Sequence, residues 1–288
     1  MPLFKCYTNQ AYYIKILAEL LTHNLKIGCF ELSDKSIDLT MFDHHRKFLV
    51  DIKLLADNFS MYKYKFSDKK FCMGLNMNHF HRMLRSIKKK DSLQLIISKK
   101  NKNELSIKTI PKENNRVTTS GIKIQEIQNL HIEIPYGYTK PIIVPSSEFA
   151  KMCKDLNSIG SSTITVIAKQ FCIEFQASAD GILTRNVSFG EKQLNDSDSD
   201  SDEEDIHESY VATFHTEQLN RLSKLAGLGT IIQIYPGQTN LPLLLRSEIG
   251  SLGKISIFLK SNELIAEEIR NYKNNSVSEL ESSSSDED

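Results

Sequence analysis

Four times along the chain a strand-like apolar run stops, a capping residue follows, and a helical period begins whose polar side is basic. The clearest instance is residues 145–160, PSSEFAKMCKDLNSIG. Ile142, Ile143 and Val144 enter it as a strand end. Pro145 stops the strand, and Ser146 or Ser147 offers a hydroxyl to a free first-turn N–H. Phe149, Met152, Cys153 and Leu156 then fall at i, i+3, i+4 and i+7, one apolar helical face. Lys151 and Lys154 lie on the other side. Such a helix needs a sheet or another helix beneath its apolar stripe.

The other three follow the same plan. A helix expected over 10–25 turns Tyr13, Ile16, Leu17 and Leu20 inward and Lys15 and Thr22 outward, with Glu19 interrupting the basic side. Asn78 caps a second over 78–90, where Phe80, Met83, Leu84 and Ile87 oppose Arg82, Arg85 and Lys89. Thr216 opens the last, with Leu219, Leu222 and Ala226 inward and Arg221 and Lys224 outward. Short alternating stretches surround the helices and read as strands: 4–7, 28–32, 36–41, 48–52, 62–66, 70–75, 92–98, 104–110 and 118–127 in the first half. In the second half they fall at 162–168, 171–177, 182–189, 210–215, 231–235, 241–246 and 254–259. Each half therefore runs strand, helix, strands, helix, strands, a repeat of pattern with little residue identity. Residues 127–141 differ: two prolines, one glycine and no helical period mark a connector with exposed apolar residues. The expected class is α+β, with antiparallel sheets and two helices per domain. Its divisions are 1–126, the connector 127–141, 142–266, and an acidic tail 267–288 without fixed structure.

The formal net charge is zero, but the acids are segregated. Residues 195–208 hold eight acids and 276–288 five, neither with Lys or Arg. Without them 36 basic residues stand against 23 acidic ones, a net of +13 on the folded part. A basic body points to nucleic acid or an anionic membrane. A solvated face is the better explanation of one basic helix. Four of one sign, in a chain that keeps its acids elsewhere, point to phosphate contact without sequence readout. Base stacking would need exposed aromatics among these cations, and the helices bury theirs. Ser followed by acids in both acidic segments suits an acid-directed kinase.

The sequence offers little for chemistry. Its five cysteines, Cys6, Cys29, Cys72, Cys153 and Cys172, show no CxxC or metal spacing and read as buried free thiols of a reducing compartment. His44-His45 and His79-Phe80-His81 are local pairs without a third ligand at metal spacing. No nucleophile elbow, phosphate loop, dinucleotide fingerprint or zinc-protease motif occurs, and Asp51, Asp91 and Asp155 are isolated. No catalytic residue, metal or cofactor is expected. No apolar run approaches the ~20 residues a membrane span needs, so a soluble intracellular protein is expected.

Residues 4–264 resemble the eukaryotic-type DNA sliding clamps, the proliferating cell nuclear antigen family. The 145–160 segment is similar to the family's P-S-x-E-F…D-L-x-x-I-G signature, and 29–43, 73–76, 241–243 and 252–253 match other segments in order. The resemblance implies two domains of like topology and a head-to-tail homotrimer encircling double-stranded DNA. In that ring 118–127, with Ile122 and Ile124, pairs with 182–189, with Val187 and Phe189, of the next subunit. Lys15, Arg82, Arg85, Lys151, Lys154 and Lys224 match the family's DNA-facing cations; Arg221 and Lys89 are added by the helical period alone. Leu130 and Ile132 on the connector, with Phe42, Leu49, Pro242 and Phe258, match a groove that receives helical peptides of DNA polymerase, ligase and nuclease. A clamp loader is a further implied partner, and Lys169 aligns with a lysine modified in some relatives.

The chain departs from the family at 42–47, Phe-Asp-His-His-Arg-Lys, which is larger and more basic than usual. The connector is slightly longer and both acidic segments are expanded. Its Lys, Asn and Ser richness fits an A/T-rich genome, as in a large DNA virus or a protist. The implied role is a processivity factor in replication and repair, in the nucleus or in a viral cytoplasmic factory. Two alternatives stay open from sequence: a subunit of a heterotrimeric checkpoint clamp, and a DNA-processing enzyme on the same basic surface.

Overall fold

The computed structural model describes residues 1–113, 116–127, 130–169, 171–190, 210–237 and 240–283, with side chains to residue 272. Its first series of elements is β1 Pro2–Thr8, α1 Ala11–Thr22, β2 Ile27–Leu32, β3 Ser36–Phe42, β4 Phe48–Leu55, β5 Met61–Tyr64 and β6 Phe71–Asn76. It continues with α2 Met77–Leu84, β7 Ser92–Ser98, β8 Glu104–Ile110 and β9 Thr118–Lys123. The second is β10 Ile142–Pro145, α3 Ser146–Asn157, β11 Thr163–Lys169, β12 Cys172–Ala179, β13 Leu183–Gly190, β14 Tyr210–His215 and α4 Thr216–Arg221, extended by a 3-10 segment, Leu222–Gly227. It closes with β15 Ile231–Tyr235, β16 Leu243–Ile249 and β17 Gly253–Leu259, and α5 Asn262–Ser283 follows. The expected repeat and the α+β class are both present.

Pairing turns that repeat into architecture. One sheet of eight strands has the order β10-β15-β16-β17-β4-β3-β2-β6. A five-stranded sheet, β5-β1-β7-β8-β9, and a four-stranded sheet, β13-β12-β11-β14, flank it. Each half thus makes two quartets: β1-β7-β8-β9 corresponds to β10-β15-β16-β17, and β6-β2-β3-β4 to β14-β11-β12-β13. The halves join where β17 pairs antiparallel with β4, from Gly253 opposite Leu54 to Leu259 opposite Phe48. Gly253 is required there, because a Cβ would sit 1.9 Å from the Lys53 carbonyl oxygen. The counterparts of these two strands, β9 and β13, are sheet edges.

Alternation follows burial. In β7, Leu93, Leu95 and Ile97 point inward, and in β11, Ile164, Val166 and Ala168 do so. Helices α1 to α4 and all three sheets share one hydrophobic cluster. Phe149, Met152, Cys153 and Leu156 of α3 are at most 2 % exposed, as the period predicted. Burial pushes the thiols of Cys6 and Cys153 up to about 12, far from nucleophilic range.

Several local expectations change. Asn76, not Asn78, caps α2: its side chain accepts from the His79 N–H at 3.0 Å. That helix stops at Leu84, so Lys89 lies beyond it, in a turn where the Asp91 carboxylate accepts from the Lys88 N–H. Pro145 itself occupies the cap position of α3, and Ser146 is turned inward with its N–H on the Thr230 carbonyl. After α4 the 3-10 period brings Leu219, Leu222, Leu225 and Leu228 inward at steps of three, so Leu225 replaces Ala226 in the core. Strand β9 ends at Lys123, and only a bridge from Gln125 to Gly74 continues it.

The tail expected to lack structure over 267–288 is helical to Ser283. Its start is anchored: the Ser261 hydroxyl accepts from the Leu264 N–H, and the Glu263 carboxylate accepts from the Thr213 N–H. Leu264 and Ile265 are half-buried, so helix-forming residues extend from a fixed first turn. The acidic segment 195–208 lies outside the described residues, as does 284–288.

Candidate nucleic-acid face and peptide groove

The two faces of the eight-stranded sheet present different surfaces. Val50, Leu243, Leu245, Ile257 and Leu259 point into the core beneath the helices. Their neighbours Leu49, Leu244 and Phe258 point the opposite way into a separate small cluster.

On the helix side, α2 packs on α1, α1 on the 3-10 segment, and that segment on α3 and α4. The helices of both halves therefore form one row. Arg82 on α2, Arg85 at its C-terminal cap, and Lys151 and Lys154 on α3 are exposed. None forms an ion pair among the described residues. Lys15 is half-buried and donates from Nζ to the Ile87 carbonyl at 2.9 Å. Lys89, displaced from α2, returns to this face through Tyr12, whose ring has Lys15 Nζ at 5.7 Å and Lys89 Nζ at 6.0 Å. Arg221 donates to Glu217 at 2.5 Å and to the His23 carbonyl at 3.4 Å. Lys224 pairs with Glu19 at 2.7 Å, tying the 3-10 segment to α1. Burial alone would raise the Glu19 carboxyl, but the hydrogen bond and charge of Lys224, with His81 and His23, hold it below its usual value. Burial likewise keeps the His81 imidazole below its ordinary range, in a hollow lined by Asn76, Asn78, His79, Arg82 and Arg85. The eight cations named from the sequence thus lie along the helix row: four open, Lys89 open in a turn, and three engaged.

The opposite side is built by register. Tyr235 lies opposite Leu244, Leu244 opposite Phe258, Phe258 opposite Leu49, and Leu49 opposite Phe42. One apolar rung crosses five strands and the joint between the halves. Two residues along, Gln233, Arg246, Ser256, Asp51 and Thr40 form a polar rung in the same order. There Thr40 Oγ1 donates to Asp51 at 2.7 Å, and Arg246 Nε donates to Ser256 Oγ at 3.1 Å. Burial raises the Asp51 carboxyl; the Thr40 hydrogen bond and Arg246 oppose it.

The connector roofs the apolar rung. Ile132 and Tyr138 pack on it, and Leu49, Leu244 and Phe258 are each 2 % exposed. The Tyr138 ring lies 6.1 Å from Phe258 and 6.2 Å from Tyr235, and its hydroxyl donates to the Pro242 carbonyl at 2.8 Å. Phe42, Tyr138 and Tyr235 remain half-buried, while Leu130, Ile134 and Tyr136 of the connector are exposed. Leu49, Ile132, Phe258 and Phe42 therefore lie in one cluster, with Pro242 buried beside them as the acceptor for Tyr138. Leu130 stands outside the cluster. Sequence reasoning missed Tyr138, Leu244 and Tyr235. Tyr138 was visible as an aromatic of the connector; Leu244 was hidden in an unbroken apolar run.

At the sheet edges the side chains differ from expectation. Ile122 and Ile124, named as interface residues, are 6 % and 7 % exposed within the single chain. They fill the core beneath β9, and Thr119, Gly121 and Lys123 are exposed on that strand instead. Val187 and Phe189 on β13 are half-buried, with Phe189 edge-on to Phe175 at 6.2 Å, and Ile182 and Leu183 are exposed. Lys169 is exposed at the end of β11. Among the described residues no cluster of His, Cys, Asp or Glu is arranged to hold a metal ion, and no helix is long and apolar enough to cross a membrane.

Two family models match this chain. That of the proliferating cell nuclear antigen, N-terminal domain, covers residues 3–132, and that of its C-terminal domain covers 133–262. A crystal structure of Proliferating Cellular Nuclear Antigen from Entamoeba histolytica superposes with a TM-score of 0.76 at 19 % identity, covering 91 % of this chain and 100 % of that one.

Proposed function

Because the chain belongs to the proliferating cell nuclear antigen family and has its two-domain clamp fold, we propose that it encircles duplex DNA as a homotrimeric ring and tethers replication and repair proteins to it. The observation carrying this reading is the correspondence between the β17–β4 joint and the unpaired edges β9 and β13. Each half presents the same two kinds of edge, one satisfied within the chain and one left open. Repeating the internal joint between copies, β9 to β13, pairs both of these edges, and a heterologous contact of this kind whose rotation closes makes a ring.

In that ring the helix row faces the DNA. Arg82, Arg85, Lys151 and Lys154, open and unpaired among the described residues, meet phosphates, and Lys89 joins them. Lys15, Arg221 and Lys224 set the potential while fastening the helices to one another. Phosphate contacts of this kind carry no sequence information and exchange readily with counterions, so the ring slides. The apolar rung with its connector receives short helical segments of DNA polymerase, clamp loader, ligase and nuclease. A partner so held stays at high local concentration and rebinds before it diffuses away. The role includes no catalytic step.

Light scattering on the purified chain tests the assembly. A mass three times that of the chain supports the reading. A persistent monomer that assembles only with other chains removes the homotrimer and favours a heterotrimeric clamp.

A further inference from the structure

The groove has a charged rim as well as an apolar floor. Phe42 closes one end of the rung, and two cations lie over its ring: the Arg46 guanidinium carbon at 5.3 Å and Lys260 Nζ at 5.8 Å from the centroid. At the other end Arg246 lies 5.3 Å over Tyr235. The turn that presents Arg46 is fixed by Asp43. Its carboxylate accepts from the N–H groups of Lys47 and Phe48 at 2.8 and 2.9 Å, and its carbonyl accepts from the Arg46 N–H at 3.1 Å. Arg46 is held there at φ 56°, a conformation uncommon outside glycine and asparagine. His44 and His45, edge to face at 5.1 Å, precede it on the same turn, and Lys47 follows.

These cations are not equally available. Lys260 is held by Glu268 at 2.6 Å. Arg246 is spent on Ser256 and Tyr235 and neighbours Asp51. The only carboxylate of the turn, Asp43, is occupied by backbone N–H groups. Arg46 is exposed and has no ion-pair partner among the described residues. A guanidinium lying on an aromatic ring keeps its N–H edge free, and that edge matches a carboxylate in two-pronged geometry.

We propose that this groove selects helical segments carrying Asp or Glu beside their apolar anchor, with Arg46 receiving the carboxylate at the Phe42 end. The inference rests on the peptide-groove reading above and adds the chemistry of the partner to it. The apolar side chains of such a segment rest against Phe42, Tyr138, Tyr235 and the open connector residues. A like-charged flank would face Arg46, Lys260 and the basic turn, so the rim also rejects Lys- or Arg-flanked segments.

Fluorescence anisotropy with the full-length protein tests this. Three labelled peptides share one anchor, an aliphatic residue at i and aromatics at i+3 and i+4, and differ only in a Glu, Gln or Lys flank. The Glu peptide should bind roughly fivefold tighter than the Gln peptide at low salt, the Lys peptide weakest, and the spread should shrink as salt rises. In Arg46→Asn the Glu preference should vanish while the Gln peptide keeps its affinity; asparagine tolerates the left-handed turn, so the fold is retained. Equal affinities in the unaltered protein would overturn the charge inference alone. So would a Glu preference that persists in Arg46→Asn and disappears only in Lys260→Met. Binding of none of the three would remove the groove reading itself, and this inference with it.

Discussion

The two faces of the eight-stranded sheet are built in opposite ways. On one, each helix carries its own apolar stripe and its own cations, so Lys151 and Lys154 reach the surface wherever α3 packs. On the other, Tyr235, Leu244, Phe258, Leu49 and Phe42 become neighbours only because five strands align in one register. The first surface is local, dispersed and tolerant of change at any one residue. The second is non-local and concentrated, and it lies across the joint that holds the halves together. The proposed sliding over phosphate suits the first construction, and the proposed discrimination among peptides suits the second.

The sharpest way to break this contrast is Phe258→Ala. The side chain is 2 % exposed at the joint, so its loss should cost about 3–5 kcal/mol in urea unfolding. Peptide binding should fall with it, while the salt dependence of DNA binding by protein that remains folded stays as it was. Equal stability would mean that the rung is ornamental to the joint. The next effect is inverted. Lys151→Ala with Lys154→Ala should leave stability within about 0.5 kcal/mol. The slope of log affinity against log salt should fall by roughly 0.9 for each phosphate contact removed. An unchanged slope would take α3 off the DNA track.

The smallest effect probes the engaged cations. Lys224→Ala releases Glu19, whose carboxyl the pair holds below its ordinary value of 4.5. That stabilisation is present above the ordinary value and lost as pH falls through the lowered one. The gap between the unaltered protein and the variant, roughly 0.2–1 kcal/mol, should therefore close as pH drops below about 4.5. A gap constant from neutral to acid pH would show that Lys224 packs without pairing.

The same contrast explains what could be read from the residues alone. Helix faces were legible because a period of 3.6 lies within a dozen residues, and all four apolar stripes came out largely as expected. The failures sit where a second rule intervenes. Asn76 displaced Asn78 as a cap because β6 ends directly in the helix, with no intervening loop. Leu225 displaced Ala226 because the helix tightens to a 3-10 step. Ile122 and Ile124 alternate as an edge strand should, but their shared side faces the core. In the groove, Leu241, Pro242, Leu243, Leu244 and Leu245 run without alternation, so nothing local says that Leu244 alone turns outward. Family resemblance supplied Phe42, Leu49 and Phe258, and register supplied Leu244 and Tyr235.

The β17–β4 joint also constrains how the molecule comes into being. Synthesis delivers β4 by residue 55, but its partner is complete only at residue 259. For some two hundred residues of elongation, about 10–40 s at ordinary rates, the nascent first half exposes β4 as well as β9, two unsaturated borders on one half-made body. Closing a loop of that span is a slow, late event, and until then another nascent chain supplies the same pairing chemistry. Translation speed and holding by chaperones across this interval therefore bear on how much chain reaches the native state. Substitutions that weaken β17 should lower yield before they alter any property of the folded chain.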